Sequence, residues 1–95
     1  MRVRITREAE SDLESIHRHG AYRFGLVQAE RYLAQLKVQL EFIGAYPEAA
    51  RVRDEFRPPV RIVRWGSHVI IYRIIDGEVV VVRLLHGHQD WSAVL

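Results

Sequence analysis

Val60-Arg61-Ile62-Val63-Arg64, Gly66-Ser67-His68-Val69-Ile70-Ile71-Tyr72-Arg73 and Val79-Val80-Val81-Val82-Arg83-Leu84-Leu85-His86 decide the fold. All three runs are rich in β-branched and apolar residues and read as strands. The last two are joined by Ile75-Asp76-Gly77-Glu78. Asp-Gly between such runs is a strong hairpin signal, because a type I′ turn needs positive φ at both central residues. With Asp76 and Gly77 as the loop, Ile75 pairs with Glu78, Arg73 with Val80, Ile71 with Val82 and Val69 with Leu84. The opposite face then carries His68, Ile70, Tyr72 and Ile74 against Leu85, Arg83, Val81 and Val79. Both faces are apolar, and such a sheet needs cover on both sides. The rest of the chain supplies helix for one side only. The other side is therefore expected to belong to a partner.

Upstream, Arg2-Val3-Arg4-Ile5 alternates like a half-buried strand. Thr6 is placed to cap a helix whose first turn holds Glu8 and Glu10, where acidic side chains suit the helix dipole. Ala9, Leu13, Ile16 and Gly20 keep helical spacing, and Gly25 is the expected stop. Leu26, Ala29, Leu33, Leu36, Leu40 and Ile43 form the apolar stripe of a second helix, flanked by Tyr32 and Phe42. Pro47 ends it. Residues 47–59 hold all three prolines and read as a loop. Gly87 to Leu95 is a tail long enough for one helical turn. The order is β-α-α-β-β-β, an α+β domain in which a two-helix hairpin packs on a mostly antiparallel sheet.

Ninety-five residues make one domain, 1–95, with a single modest core. The chain has no cysteine, which excludes disulfides and thiolate metal sites and fits the cytoplasm. No apolar run approaches a membrane span, and the N-terminal residues lack the pattern of a signal peptide. The net charge is only +2, yet thirteen of the fourteen basic residues are arginine. Arginine favours bidentate contact with carboxylate or phosphate. Arg51, Arg53, Arg57, Arg61 and Arg64 crowd one short stretch, readable either as a solvated rim or as a patch for an acidic partner or nucleic acid.

There is no Gly-rich phosphate loop, no zinc-protease helix motif and no nucleophile elbow. His86 and His88 alternate at a strand end without a further ligand nearby, so no metal or other cofactor is expected. His68, His86 and His88 with Arg61, Arg64 and Arg73 hold the residue types a nuclease needs, but sequence does not show them converging. Arg83, inside a valine run, calls for a carboxylate, with Asp12 or Glu14 as the options.

Taken together, the chain resembles the ParE toxins of the RelE/ParE superfamily along nearly its whole length. The resemblance is carried by Ser11-Asp12-Leu13-Glu14-Ser15-Ile16, Arg23-Phe24-Gly25, Gln28-Ala29-Glu30-Arg31-Tyr32, Pro47, Arg57-Pro58, Gly66 to Arg73, Val82 to His86 and Asp90. RNA-cleaving members of the superfamily carry an arginine in the Gly-x-Arg-hydrophobic-x-Tyr strand, another after the last strand, and often a C-terminal tyrosine. Here those positions are Val69, Gln89 and Leu95. The resemblance therefore implies a plasmid-stabilisation type of toxin with no catalytic residues. It would inhibit DNA gyrase, be neutralised by a ParD-like antitoxin, and meet DNA only through that antitoxin. The alternative is a RelE-like messenger RNA endoribonuclease. The expected antitoxin face is Val69, Ile71, Arg73, Val80, Val82 and Leu84. Arg57, Arg61, Arg64 and Trp91 are the candidates for target contact, since arginine and tryptophan dominate binding surfaces.

Overall fold

The computed structural model describes residues 1–91 and 93–95. It contains β1 (Arg2–Ile5), α1 (Arg7–Phe24), α2 (Leu26–Ala45), β2 (Val52–Arg53), β3 (Val60–Trp65), β4 (His68–Ile75) and β5 (Glu78–His86). Among the described residues, no helix is long and apolar enough to cross a membrane.

The helix ends are set by local chemistry. Thr6 is extended, and its hydroxyl accepts the N–H of Ala9 at 3.1 Å, filling one of the first-turn donors that have no partner inside the helix. Gly25 stands between the helices with φ 92°, and its N–H closes the last turn of α1 on Ala21. α2 starts directly after it without a side-chain cap and ends at Tyr46, before Pro47. Most of the expected stripe is buried, Ala29, Leu36, Leu40 and Ile43 fully and Leu33 partly, whereas Leu26 at the start of α2 is exposed. Leu36, Leu40 and Ile43 meet Ile70, Tyr72, Val79, Val81 and Leu84 of the sheet in the main core. Burying a side chain of this size contributes about 1.5–3 kcal/mol. α2 comes so close to β1 that a Cβ on Gly44 would lie 2.7 Å from a methyl of Val3.

The sheet order is β1-β5-β4-β3-β2, with β1 parallel to β5 and every other pair antiparallel. The two-residue β2 lies inside the stretch expected to be all loop. Two residues cannot show a period of two, so no pattern marked it. The Asp76-Gly77 turn forms as read, with φ 51° and 76°. Ile75 pairs with Glu78 and Arg73 with Val80, as the turn dictates. Beyond Tyr72–Val81 the register slips: Ile71 faces Arg83 and Val69 faces Leu85, so Val82 has no opposite residue. The expected pairs Ile71–Val82 and Val69–Leu84 are thereby corrected. One extra residue is a β-bulge, and it exchanges the two faces for everything after it. Leu84 joins the helix-side core and Leu85 goes to the other face with Val60, Val69 and Ile71.

β1 ends at Ile5 opposite Val81, which leaves the edge of β5 beyond that point without a strand. α1 takes over its hydrogen bonds. Thr6 donates through its N–H to Val81 O and through its hydroxyl to Val82 O, and Asp12 accepts the N–H of Leu84 at 2.9 Å. Of the tail, the single helical turn expected there falls partly on Ser92, outside the described residues. Val94 and Leu95 donate to the carbonyl of Trp91.

Candidate functional site

The face of the sheet away from the helices is not the open apolar surface expected from the chain's helix content. Phe56, from the loop after β2, and Trp91, from the tail, pack on Val60, Val69, Ile71 and Leu85. Their rings lie 5.8 Å apart, and the guanidinium of Arg53 sits 5.7 Å from each centroid. Arg53 is held there by Glu55 at 2.7 Å. The chain thus covers the middle of this face with its own loop and tail.

That cover re-sorts the expected antitoxin set. Val69, Ile71 and Val80 lie on the helix-free face but are 1%, 0% and 3% exposed. Leu84 lies on the helix side because of the bulge. Val82 and Arg73 remain half-buried, together with Ile62 and Ile75. Arg4 and Arg73 flank Val80 in one cross-strand row, and Arg64 stands opposite Val69 in another. The accessible part of the face is a set of apolar side chains bordered by arginines. Of these border residues, Arg4, Arg64 and Arg73 have no carboxylate partner among the described residues.

Of the residues expected to touch a target, Arg57 and Arg64 are exposed. Arg61 is occupied instead: its guanidinium donates to the carbonyls of Glu48 and Ala50 and so braces the loop after α2. Beside it, the Tyr72 hydroxyl donates to Pro47 O at 2.7 Å, and burial pushes its pKa up. Trp91 is half-buried as part of the cover.

A second feature lies on the helix side. A cleft of about 790 Å³ opens between the far end of the helical hairpin and the ends of β4 and β5. His19 and Arg23 reach it from α1, Tyr32 from α2, His68 from β4, and Arg83 and His86 from β5. The Tyr32 hydroxyl lies 2.7 Å from His68 Nδ1 and accepts the N–H of Ser67 at 3.1 Å. Every group is used if the hydroxyl proton goes to Nδ1, which leaves neutral His68 with its own proton on Nε2. Burial, then the neighbouring His86 and His19, hold the His68 pKa below the usual histidine value. His86 Nδ1 accepts the N–H of His88 at 3.2 Å, so its Nε2 also carries the proton in the neutral ring. Gly66 makes the tyrosine's approach possible: its φ is +58°, and a Cβ there would stand 2.6 Å from the Tyr32 oxygen.

His68, His86 and His88 therefore do converge, with ring centroids 5.5 and 5.3 Å apart in succession. Arg61 and Arg73 are not part of that group. No three His, Asp or Glu side chains among the described residues are placed to hold a metal. Tyr32 escaped the sequence reading because it sits at a position that also fits the flank of the α2 stripe. Arg83 found the carboxylate it required in Asp12, with Nε and Nη2 at 2.7 and 3.0 Å. That pair forms one wall of the cleft.

A family model described as the ParE toxin of type II toxin–antitoxin systems, parDE, matches residues 3–91. Toxin ParE1 of Mycobacterium tuberculosis (strain H37Rv) is 37% identical over 90 residues, covering 94% of this chain and 92% of the relative. Toxin ParE1 of Caulobacter vibrioides is 32% identical over 90 residues, covering 95% and 93%. A solved structure described as a chromosomal ParDE TA system from P. aeruginosa contains a chain of the same fold. Its TM-score is 0.76 at 24% identity, covering 90% of this chain and 95% of that one.

Proposed function

The chain belongs to the ParE toxin family of type II toxin–antitoxin systems, and from that membership we propose that it poisons its host by binding DNA gyrase, without breaking any bond itself. On this reading it acts in the cytoplasm and is neutralised by a ParD-like antitoxin. It meets DNA only through that antitoxin. The antitoxin lies on the helix-free face and engages Val82, Arg73 and the arginine border. Arg57, Arg64 and the Trp91 cover remain the candidates for gyrase contact.

The observation that carries the non-enzymatic reading is the state of Val69. It stands where RNA-cleaving relatives present an arginine, and it is 1% exposed beneath the Phe56–Trp91 cover. A phosphodiester being cut needs preorganised positive charge, and loss of one such donor costs about 10²–10³ in rate. A buried valine supplies none. The border arginines favour an acidic partner, because unpaired guanidinium groups gain most from carboxylates.

The test is paired. Purified toxin is expected to inhibit gyrase supercoiling or trap cleaved DNA, and co-purified antitoxin to abolish the effect. Val82→Glu is expected to weaken antitoxin binding, since a charge is then desolvated against an apolar contact. A nuclease reading is favoured by one observation only, the convergence of Tyr32, His68 and His86 on an open cleft, where they offer groups for proton transfer. Ribosome profiling after induction separates the two. Codon-specific messenger cleavage within minutes, with supercoiling untouched, replaces the gyrase reading by the nuclease one.

A further inference from the structure

We propose that the cleft at the far end of the helical hairpin is a pocket for one carboxylate, carried by an acidic side chain of the protein that neutralises the toxin. This rests on the reading of the chain as a toxin held by an antitoxin. It adds a second point of attachment, on the opposite side of the sheet from the arginine-bordered face.

The donor inventory carries the argument. Among the described residues the cleft is lined by a single carboxylate, Asp12, and that group is spent on Arg83 Nε, Arg83 Nη2 and the N–H of Leu84. No other described residue lining it offers an acceptor of that strength, while N–H groups are in excess. In the neutral tautomers assigned above, His68 and His86 each keep an Nε2–H. Arg23 is exposed and has no carboxylate partner among the described residues; its guanidinium carbon lies 5.5 Å from the Phe24 ring. Donors without acceptors select an acceptor-only guest, and an ionised carboxyl is one.

Charge selects a carboxylate over a nucleic-acid backbone. Arg83 and Asp12 cancel, and with histidine counted neutral at pH 7 the cleft retains one positive charge, that of Arg23. One cation suits one monoanion. Phosphate backbones are bound by several cations at once, each releasing counterions. The remaining walls include Ile16, Ala29, Leu84 and Leu85. At about 790 Å³ the space takes a side chain together with its apolar neighbours in sequence, in the size range of ligand pockets.

The same geometry couples the guest to a proton. His68 shares the cleft with Asp12, His19 and Arg23 from α1, Tyr32 from α2, and Arg83 and His86 from β5. Burial and the other histidines disfavour its charged form; an anion placed among them favours it. Binding therefore takes up protons and strengthens as pH falls from 8 to 6.

The probe is the blocked peptide acetyl-Leu-Glu-Leu-amide, titrated into the full chain while the histidine ring signals are followed by NMR. Acetyl-Leu-Gln-Leu-amide and inorganic phosphate are the comparison arms. The glutamate peptide is expected to shift the His68 and His86 rings saturably, severalfold more tightly at pH 6 than at pH 8, and the glutamine peptide to leave them in place. Arg23→Gln, at an exposed position, is expected to weaken binding about tenfold, the loss of one charge-assisted contact. An equal response to the glutamine peptide overturns the proposal, as does the absence of any shift. Tighter binding of phosphate at the same rings overturns it in favour of a phosphate ligand. Neither gyrase nor antitoxin enters the titration, so its failure leaves the toxin reading standing, and failure of the gyrase assay leaves the pocket standing.

Discussion

Replacing Asp12 by alanine tests how far one side chain holds α1 to the sheet. The carboxylate accepts three hydrogen bonds, from Arg83 Nε at 2.7 Å, Arg83 Nη2 at 3.0 Å and Leu84 N at 2.9 Å. Its removal leaves the Leu84 N–H without an acceptor on an edge that no strand covers, at a cost of about 1–3 kcal/mol. It also strands the guanidinium. A fully buried charge that loses its partner costs about 3–5 kcal/mol. Arg83 keeps 28% of its side chain in solvent and Asp12 14%, so water compensates much of this and the second contribution falls to about 1–2 kcal/mol. The total expected is roughly 2–5 kcal/mol. In a domain of this length each kcal/mol moves the melting temperature by about 5 °C, which makes the loss roughly 10–25 °C. Arg83→Met removes the charge and leaves Leu84 paired, so its cost is smaller, about 1–2 kcal/mol. The double variant is expected to cost at least about 1 kcal/mol less than the sum of the singles, because each single already breaks the same pair. Urea unfolding at constant m-value measures all three. Additive single effects, or an Asp12→Ala cost below about 0.5 kcal/mol, refute this account of the pair. Loss of toxicity in an Arg83→Met protein that melts like wild type moves Arg83 from architecture to function.

Three other outcomes are expected. The folded pKa of His68 lies below its unfolded value of about 6.5, so the unfolded chain binds protons first as pH falls. Stability is then fully present above about pH 6.5 and is lost as pH falls through the folded pKa, and His68→Gln flattens that part of a melting-temperature profile. Tyr32→Phe removes the donor to His68 Nδ1 and the acceptor for Ser67; thermal unfolding is expected to show a loss of about 1 kcal/mol, and NMR titration a higher His68 pKa. Trp91→Ala opens the cover over Val69, Ile71 and Leu85, with a loss of about 1–3 kcal/mol in urea unfolding and added binding of a hydrophobic dye; unchanged dye binding shows that the tail does not shield that face.

The elements of the fold were legible because their signals are local. Thr6, Gly25, Pro47 and Asp76-Gly77 each mark a boundary by backbone chemistry that no distant residue alters. The faces were legible only as far as the bulge. Val82 looks like its valine neighbours, and nothing in Val79-Val80-Val81-Val82 says which one lacks an opposite residue. Counting pairs from the turn therefore put Leu84 on the wrong side. The openness of the helix-free face was misjudged for a related reason: burial of Ile71 depends on Phe56 and Trp91, separated in sequence from it and from each other. Arg83 announced its need for a carboxylate through its apolar setting. Tyr32 announced nothing, because a tyrosine beside an apolar stripe suits packing as well as it suits a hydrogen bond to His68.

The parallel pairing of β1 with β5 has a consequence for how the toxin comes into being. Arg2 lies opposite Glu78 and Ile5 opposite Val81, so β1 finds its strand neighbour in β5, which follows both helices and three other strands in the chain. α1 is in the same position, since Thr6 and Asp12 bond to residues 81–84. The helical hairpin is local and can close early, whereas the sheet it docks on waits for the far end of the chain. A polypeptide released before β5 has a helix pair with nothing to pack against, and no central strand to join β1 to β4. Assembly of the sheet is therefore all or none: a chain lacking β5 has neither a partner for β1 nor the edge to which α1 bonds.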